Sequence, residues 1–169
     1  MDAATLRATQ APIKERYKSS PETALITLTA RGVLDGSNIA CKVETGRALA
    51  VAGLHPATGG SGLELCSGDM LLEALVACAG VTLKSVATAI EVPLKQGIVI
   101  AEGDLDFRGT LGVDKEAPVG FAEIRLRFAV DTPAPQEKLD LLLKLTERYC
   151  VVYQTIRNGP KVSVTLQRV

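Results

Sequence analysis

The sequence predicts an α+β domain in which antiparallel sheets, each with one apolar face, enclose a single long helix. Three observations predict it. Residues 67–89, SGDMLLEALVACAGVTLKSVATA, carry no charge between Glu73 and Lys84 and read as a helix buried on most of its surface. Two later stretches, residues 99–108 and 122–130, alternate apolar with charged residues at a strand's period of two, as a sheet does that is wet on one face. A second amphipathic stretch, QEKLDLLLKLTERYC, and a final alternating segment follow them. Sheets with one apolar face need a cover, and the long helix is the natural one.

Each element has a local reason. Residues 1–20 are polar and mixed, with Pro12 among them, and read as an N-terminal arm to a single domain covering 1–169. Ala24, Ile26, Leu28 and Ala30 then alternate with Leu25 and the threonines, which predicts a first strand. Ile39, Cys41 and Val43 alternate with Lys42 and Glu44 after the turn-like Asp35-Gly36-Ser37-Asn38, and a further short strand covers 48–52. His55-Pro56 and Gly59-Gly60-Ser61-Gly62 make 54–66 a loop. Ser67 is placed to cap the long helix, Asp69 suits its positive first turn, and Pro93 stops it after Glu91-Val92. In the next strand Val99, Ala101, Leu105 and Phe107 oppose Glu102, Asp104, Asp106 and Arg108. In its successor Ala122, Ile124, Leu126, Phe128 and Val130 oppose Glu123, Arg125 and Arg127, with 109–120 as the connection. Pro133 and Pro135 introduce the second helix, and Val162, Val164 and Leu166 alternate in a last strand.

Bulk properties narrow the function. A chain of 169 residues fits one domain, or one half of an intertwined dimer. Lys plus Arg equals Asp plus Glu at 19 each, so no net field draws the chain to nucleic acid or anionic lipid. The chain has no Trp and few aromatics on which bases could stack. The uncharged part of the long helix spans about ten residues, against roughly 20 for a bilayer, so no membrane span is expected. MDAATLRATQ lacks the basic start and apolar run of a secretory signal, which leaves a cytoplasmic location as the expectation. In that compartment the four cysteines are expected to be reduced, catalytic or simply buried.

Cys78 sits at the middle of the long helix. It is either a small hydrophobe filling the core or a sheltered thiolate that attacks an electrophile. The second reading needs another thiol to resolve the product, and Cys150 is available beside Glu147, Arg148 and Tyr149. His55, the only histidine, is either a loop residue next to proline or a hydrogen-bond donor at a site mouth. Cys41 belongs to the apolar side of its strand, while Cys66 adjoins a helix start, where a thiol's pKa falls. No C-x-x-C or H-x-x-x-H spacing supports zinc, and the Gly-rich loop lacks the Gly-Lys-Ser/Thr that ends a phosphate loop.

The run GGSGLELCSGDMLLEALVACAGVTL resembles the signature of the OsmC/Ohr family of thiol-dependent hydroperoxide reductases. There a Gly-Gly loop leads into a helix of the form x-x-E-L-L-x-A-A-L-A-A-C, and a later motif like A-E-x-Y-C-P-V-S carries a second cysteine. Leu71, Leu72, Ala74, Leu75, Ala77 and Cys78 match the first motif; Glu147, Tyr149, Cys150 and Val152 match the second. The resemblance implies an OsmC-like fold of curved antiparallel sheets wrapped around the cysteine-bearing helix, in an intertwined homodimer. It implies no bound cofactor. Cys78 would attack the O–O bond of a small organic hydroperoxide, Cys150 would trap the sulfenic acid as a disulfide, and an external dithiol such as dihydrolipoamide would reduce it.

In the family an arginine, held by a glutamate early in the cysteine helix, activates the thiol. The family's Pro-Glu stands here as Ser67-Gly68, with Asp69 and Glu73 as the carboxylates able to take its place. Arg47 is the first choice for the cation and Arg31 the second. After Cys150 the family's Pro and Ser are Val151 and Tyr153. The retained cysteines favour a peroxidase. The changed Pro-Glu favours a rival that keeps the fold to bind a small apolar or thiol-reactive ligand, and a redox sensor is the third reading.

Overall fold

The computed structural model describes residues 3–34, 41–43, 52–63 and 65–168. In chain order the elements are α1 (Ala3–Ser19), β1 (Leu25–Leu34), β2 (Cys41–Val43), β3 (Ala52–Gly53), β4 (Leu65–Cys66), α2 (Ser67–Ala89), β5 (Gln96–Asp106), the one-turn helix α3 (Phe107–Thr110), β6 (Phe121–Asp131), α4 (Gln136–Tyr149) and α5 (Val151–Asn158). This is an α+β fold. One antiparallel sheet has the order β2-β1-β5-β6, and β3 and β4 form a separate parallel pair. The parts of the second and third expected strands that fall on 35–40 and 44–51 lie outside the described residues.

Helix α2 occupies the centre because its apolar residues recur at helical spacing. Leu72, Leu75, Val76, Ala79, Leu83, Val86 and Ala87 are all buried and form one stripe. The stripe packs on β1 and β5, where Val99 and Ala101 have no exposed surface. By length and composition alone α2 could cross a membrane, but this packing makes it a core helix. Its start differs from expectation: Cys66 holds the cap position and Ser67 is the first helical residue. Its end is a Schellman turn, in which the Val92 N–H donates to Ala87 O (2.8 Å) and the Glu91 N–H to Thr88 O (3.3 Å). Glu91 takes the left-handed position there, with φ 55°, where glycine is usual.

The alternation read in β5 holds from Gly97 to Leu105, and Phe107 leaves the strand for α3, whose cap is Asp106. Gly103 lies under a ring. A Cβ there would stand 2.5 Å from Cε1 of Phe121, so the strand accepts only glycine if that ring keeps its place. On the wet face, Asp104 accepts hydrogen bonds from Arg125 and from the Thr27 hydroxyl (2.6 Å), which hold its carboxyl down to about 2.

Three segments depart from the sequence reading. The N-terminal arm is a helix, α1, docked on the 55–60 loop: fully buried Tyr17 donates to Ala57 O at 2.8 Å, and Gln10 Nε2 donates to Thr58 O at 3.2 Å. The second helix ends at Tyr149, next to the expected end at Cys150, and a further helix, α5, follows it unexpectedly. The expected final strand is absent. Residues 159–168 have no regular secondary structure, because a strand needs a partner edge and this segment meets none among the described residues.

Candidate functional site

Cys150 ends one helix and starts the next. Its N–H donates to Thr146 O (2.9 Å), closing α4, and its own carbonyl accepts the Gln154 N–H (2.9 Å), opening α5. Between them Cys150 is extended (φ −72°, ψ 106°). That break turns its side chain inward, where it is 1% exposed and part of the core. Cys78 lies beside the buried stripe of α2 and is only half-buried. Helices α4 and α5 both pack on α2, and the two sulfurs meet there as free thiols.

Their environments differ. Burial pushes the Cys150 thiol up to about 11; the hydrogen bond to Cys78 and the charge of Cys78 add to the rise, while the N–H groups of Tyr153 and Val152 oppose it. No cation acts on Cys150 among the described residues. At neutral pH Cys150 therefore keeps its proton and offers it to the sulfur of Cys78. The pair consists of one sheltered donor thiol and one more accessible sulfur.

Beside the pair runs an apolar hollow of about 560 Å³ between β6 and the two C-terminal helices. Leu75, one turn before Cys78, forms part of its wall, with Ile124, Phe128, Leu143, Tyr153 and Ile156. Glu123, Glu147 and Arg157 supply its charges. Sequence reasoning placed Glu147 near Cys150 but missed α5 and with it Ile156. The available signal was the spacing of Val152 and Ile156, four apart, on one helical face.

The other candidates fall elsewhere. Asp69 and Glu73 precede Cys78 by nine and five residues. That is roughly 13 and 7 Å along the axis and about 180° and 140° around it, so neither carboxylate shares the thiol's face. They group with His55. Burial raises both carboxyls; the charge of His55 lowers Asp69 again, and Asp69 further raises Glu73. His55 itself has a structural place: Nδ1 accepts the Ala57 N–H at 3.0 Å, and the ring stacks on Phe107 with centroids 4.9 Å apart. With half-buried Cys66 it lines a second hollow of about 390 Å³ at the start of α2. Arg31, half-buried on β1, stands opposite Ile100 in the ladder. Arg47 lies outside the described residues, and Cys41 contributes a backbone position on β2 opposite Leu34. Among the described residues, no group of three or more His, Cys, Asp or Glu could hold a metal ion.

No curated protein matches the sequence. The fold resembles the crystal structure of an OsmC-like hydroperoxide resistance protein from Jannaschia sp. CCS1, with a TM-score of 0.63 at 14% identity, covering 86% of this chain and 95% of that one. At that identity the likeness is one of fold. The family described as OsmC-like protein matches residues 60–165, which contain the whole cysteine helix and the Cys150 joint. That match spans more than half of the sequence, and the chain belongs to the OsmC-like family.

Proposed function

We infer that the protein is a thiol peroxidase for organic hydroperoxides in oxidative-stress defence, with Cys78 as the attacking thiolate and Cys150 as the resolving thiol. The observation that carries this reading is the contact between two free thiols of unequal access. The Cys78 thiolate attacks an oxygen of the hydroperoxide, the O–O bond breaks, and the organic fragment takes a proton and leaves as an alcohol. Cys78 is then a sulfenic acid. Cys150 gives up its proton as its sulfur displaces the oxygen, which leaves as water, and a disulfide joins α2 to the α4–α5 joint. An external dithiol returns both thiols. The apolar hollow beside Leu75 suits the organic tail. Arg31 is the described candidate for a cation that favours the Cys78 thiolate, and Arg47 remains the first choice from sequence. The chain would work in the cytoplasm as a homodimer, without a bound cofactor.

The helix faces favour keeping a second reading. Asp69 and Glu73 do not lie on the face of Cys78, so the carboxylate that steadies the activating arginine has no counterpart on that face of α2. A chain that binds a small apolar ligand in the hollow without turnover fits this observation, and so does a redox sensor.

Peroxide loss separates them. Reduced protein is mixed with cumene hydroperoxide and dihydrolipoamide as wild type, Cys78→Ser and Cys150→Ser. Wild type is expected to turn over and Cys78→Ser to be inactive. Cys150→Ser should accumulate a sulfenic acid that dimedone traps on Cys78. Undiminished turnover in Cys78→Ser sinks the assignment, and a wild type that consumes no peroxide favours the binding reading.

A further inference from the structure

The alkyl fragment of a hydroperoxide leaves as an alkoxide unless a proton meets it, and charge that develops beside apolar walls is costly. Among the described residues lining the hollow beside the cysteine pair, one carries a neutral O–H donor, Tyr153. The other polar side chains there cannot serve. Glu123 and Glu147 are carboxylates, which accept hydrogen bonds when ionised, and the Arg157 guanidinium does not give up a proton. Tyr153 stands where the OsmC/Ohr motif has serine, so the phenol belongs to this chain rather than to the motif.

Place and orientation both suit the task. The backbone N–H of Tyr153 faces the Cys150 sulfur, which meets Cys78. Its side chain lines the hollow whose wall includes Leu75, one turn before Cys78. Arg157, one turn further along α5, donates from Nη1 to the phenol oxygen at 3.2 Å, and its guanidinium carbon lies 5.9 Å from the ring centroid. A phenol oxygen that accepts from arginine has its own hydrogen left to donate, and among the described residues no acceptor takes it. The same guanidinium is placed to steady the phenolate that remains once the hydrogen has gone.

We propose that Tyr153 is the proton donor of the peroxide step, giving its phenolic hydrogen to the alcohol oxygen as the O–O bond breaks, and that Arg157 is its positioning residue. The assignment rests on the peroxidase reading. The Cys78 thiolate gives an electron pair to the terminal oxygen and becomes S–OH. The pair of the O–O bond goes to the carbon-bearing oxygen, which takes the hydrogen of Tyr153 and leaves as the alcohol. Sulfur is oxidised by two electrons and the peroxide is reduced by the same two. The phenolate, held beside Arg157, recovers a proton from water. An alkoxide is a far stronger base than a phenolate, so the transfer runs downhill.

The leaving group reads the donor out. Cumene hydroperoxide departs as an alkoxide and needs a proton, whereas peroxybenzoic acid departs as benzoate and needs none. Reduced full-length chain, as wild type and as Tyr153→Phe, is mixed with each oxidant, and the first oxidation of Cys78 is followed by mass spectrometry of quenched samples. Tyr153→Phe keeps the ring, and it should lose about 100-fold or more in rate with cumene hydroperoxide and nothing with peroxybenzoic acid. Arg157→Gln should slow the cumene hydroperoxide reaction of the wild type and add no loss to Tyr153→Phe. An undiminished cumene hydroperoxide rate in Tyr153→Phe overturns the proposal and leaves the peroxidase reading standing. Equal losses with both oxidants overturn it too, since the side chain would then only shape the hollow. A wild type in which neither oxidant modifies Cys78 overturns the peroxidase reading itself, and the proposal with it.

Discussion

Replacing Gly103 by alanine tests how tightly β5 is packed. The new Cβ would lie 2.5 and 2.6 Å from two ring carbons of Phe121 and 3.4 Å from Cδ2 of Leu72. Ordinary carbon–carbon contact is about 3.5–4.0 Å, so the ring must retreat by about 1 Å. Overpacking of this size costs about 1–3 kcal/mol. The lower half of that range applies, because Phe121 is half-buried and borders a hollow on either side, into which it can swing. Alanine also recovers about 0.5–1 kcal/mol over glycine inside a strand. The net expectation is a loss of about 1 kcal/mol in Gly103→Ala. In a Phe121→Ala background the clash is gone, and the same change should be neutral or stabilising by about 0.5 kcal/mol. Urea unfolding of the four chains, with thiols kept reduced, gives the coupling directly. Equal midpoint losses in both backgrounds would refute the reasoning, since the ring would then have no part in the cost.

Two further expectations concern the ends of helices. Cys150 is raised from an ordinary value of 9.0 to about 11, so the folded chain holds this proton more firmly than the unfolded one. The associated stability, at most about 3 kcal/mol, is therefore present below pH 9 and is lost as pH rises toward 11. Denaturant midpoints from pH 8 to 11 should fall more steeply for wild type than for Cys150→Ala, and parallel profiles would contradict the burial argument. Glu91→Gly places glycine in the left-handed position that closes α2. The Tm should rise, corresponding to about 0.5–1 kcal/mol after the entropy cost of glycine, and a lower Tm would contradict it.

Periodicity made the central architecture legible. Val99, Ala101 and Leu105 face the core as their alternation requires, and the uncharged centre of α2 is the buried stripe. What failed depended on contacts distant in sequence. Helix α5, beyond the expected end at Cys150, was not read from the sequence, and it packs against α2. Helix α1 is polar along much of its length, and the buried Tyr17 hydroxyl on Ala57 shows what docks it. The tail alternates well enough for a strand, but alternation supplies only a face, not an edge to pair with. Within the site, the motifs located both cysteines. Helical geometry bears on the carboxylates, since nine residues at 100° apiece bring Asp69 to the opposite side of the helix from Cys78.

The meeting of Cys78 with Cys150 has a thermodynamic side. The two positions are 72 residues apart, and the chain between them includes β5, β6 and α4. A bond between them would close a loop of that length and remove about 4 kcal/mol of chain entropy from the unfolded ensemble. That is a large share of the margin on which a domain of this size stands. Peroxide would then harden the molecule it oxidises, and reductant would soften it again. A melting curve with and without dithiothreitol reads the difference, and coincident curves would show the bond absent or strained. On that reading the reduced chain would be the weaker form, and the encounter with oxidant would fasten its helices together.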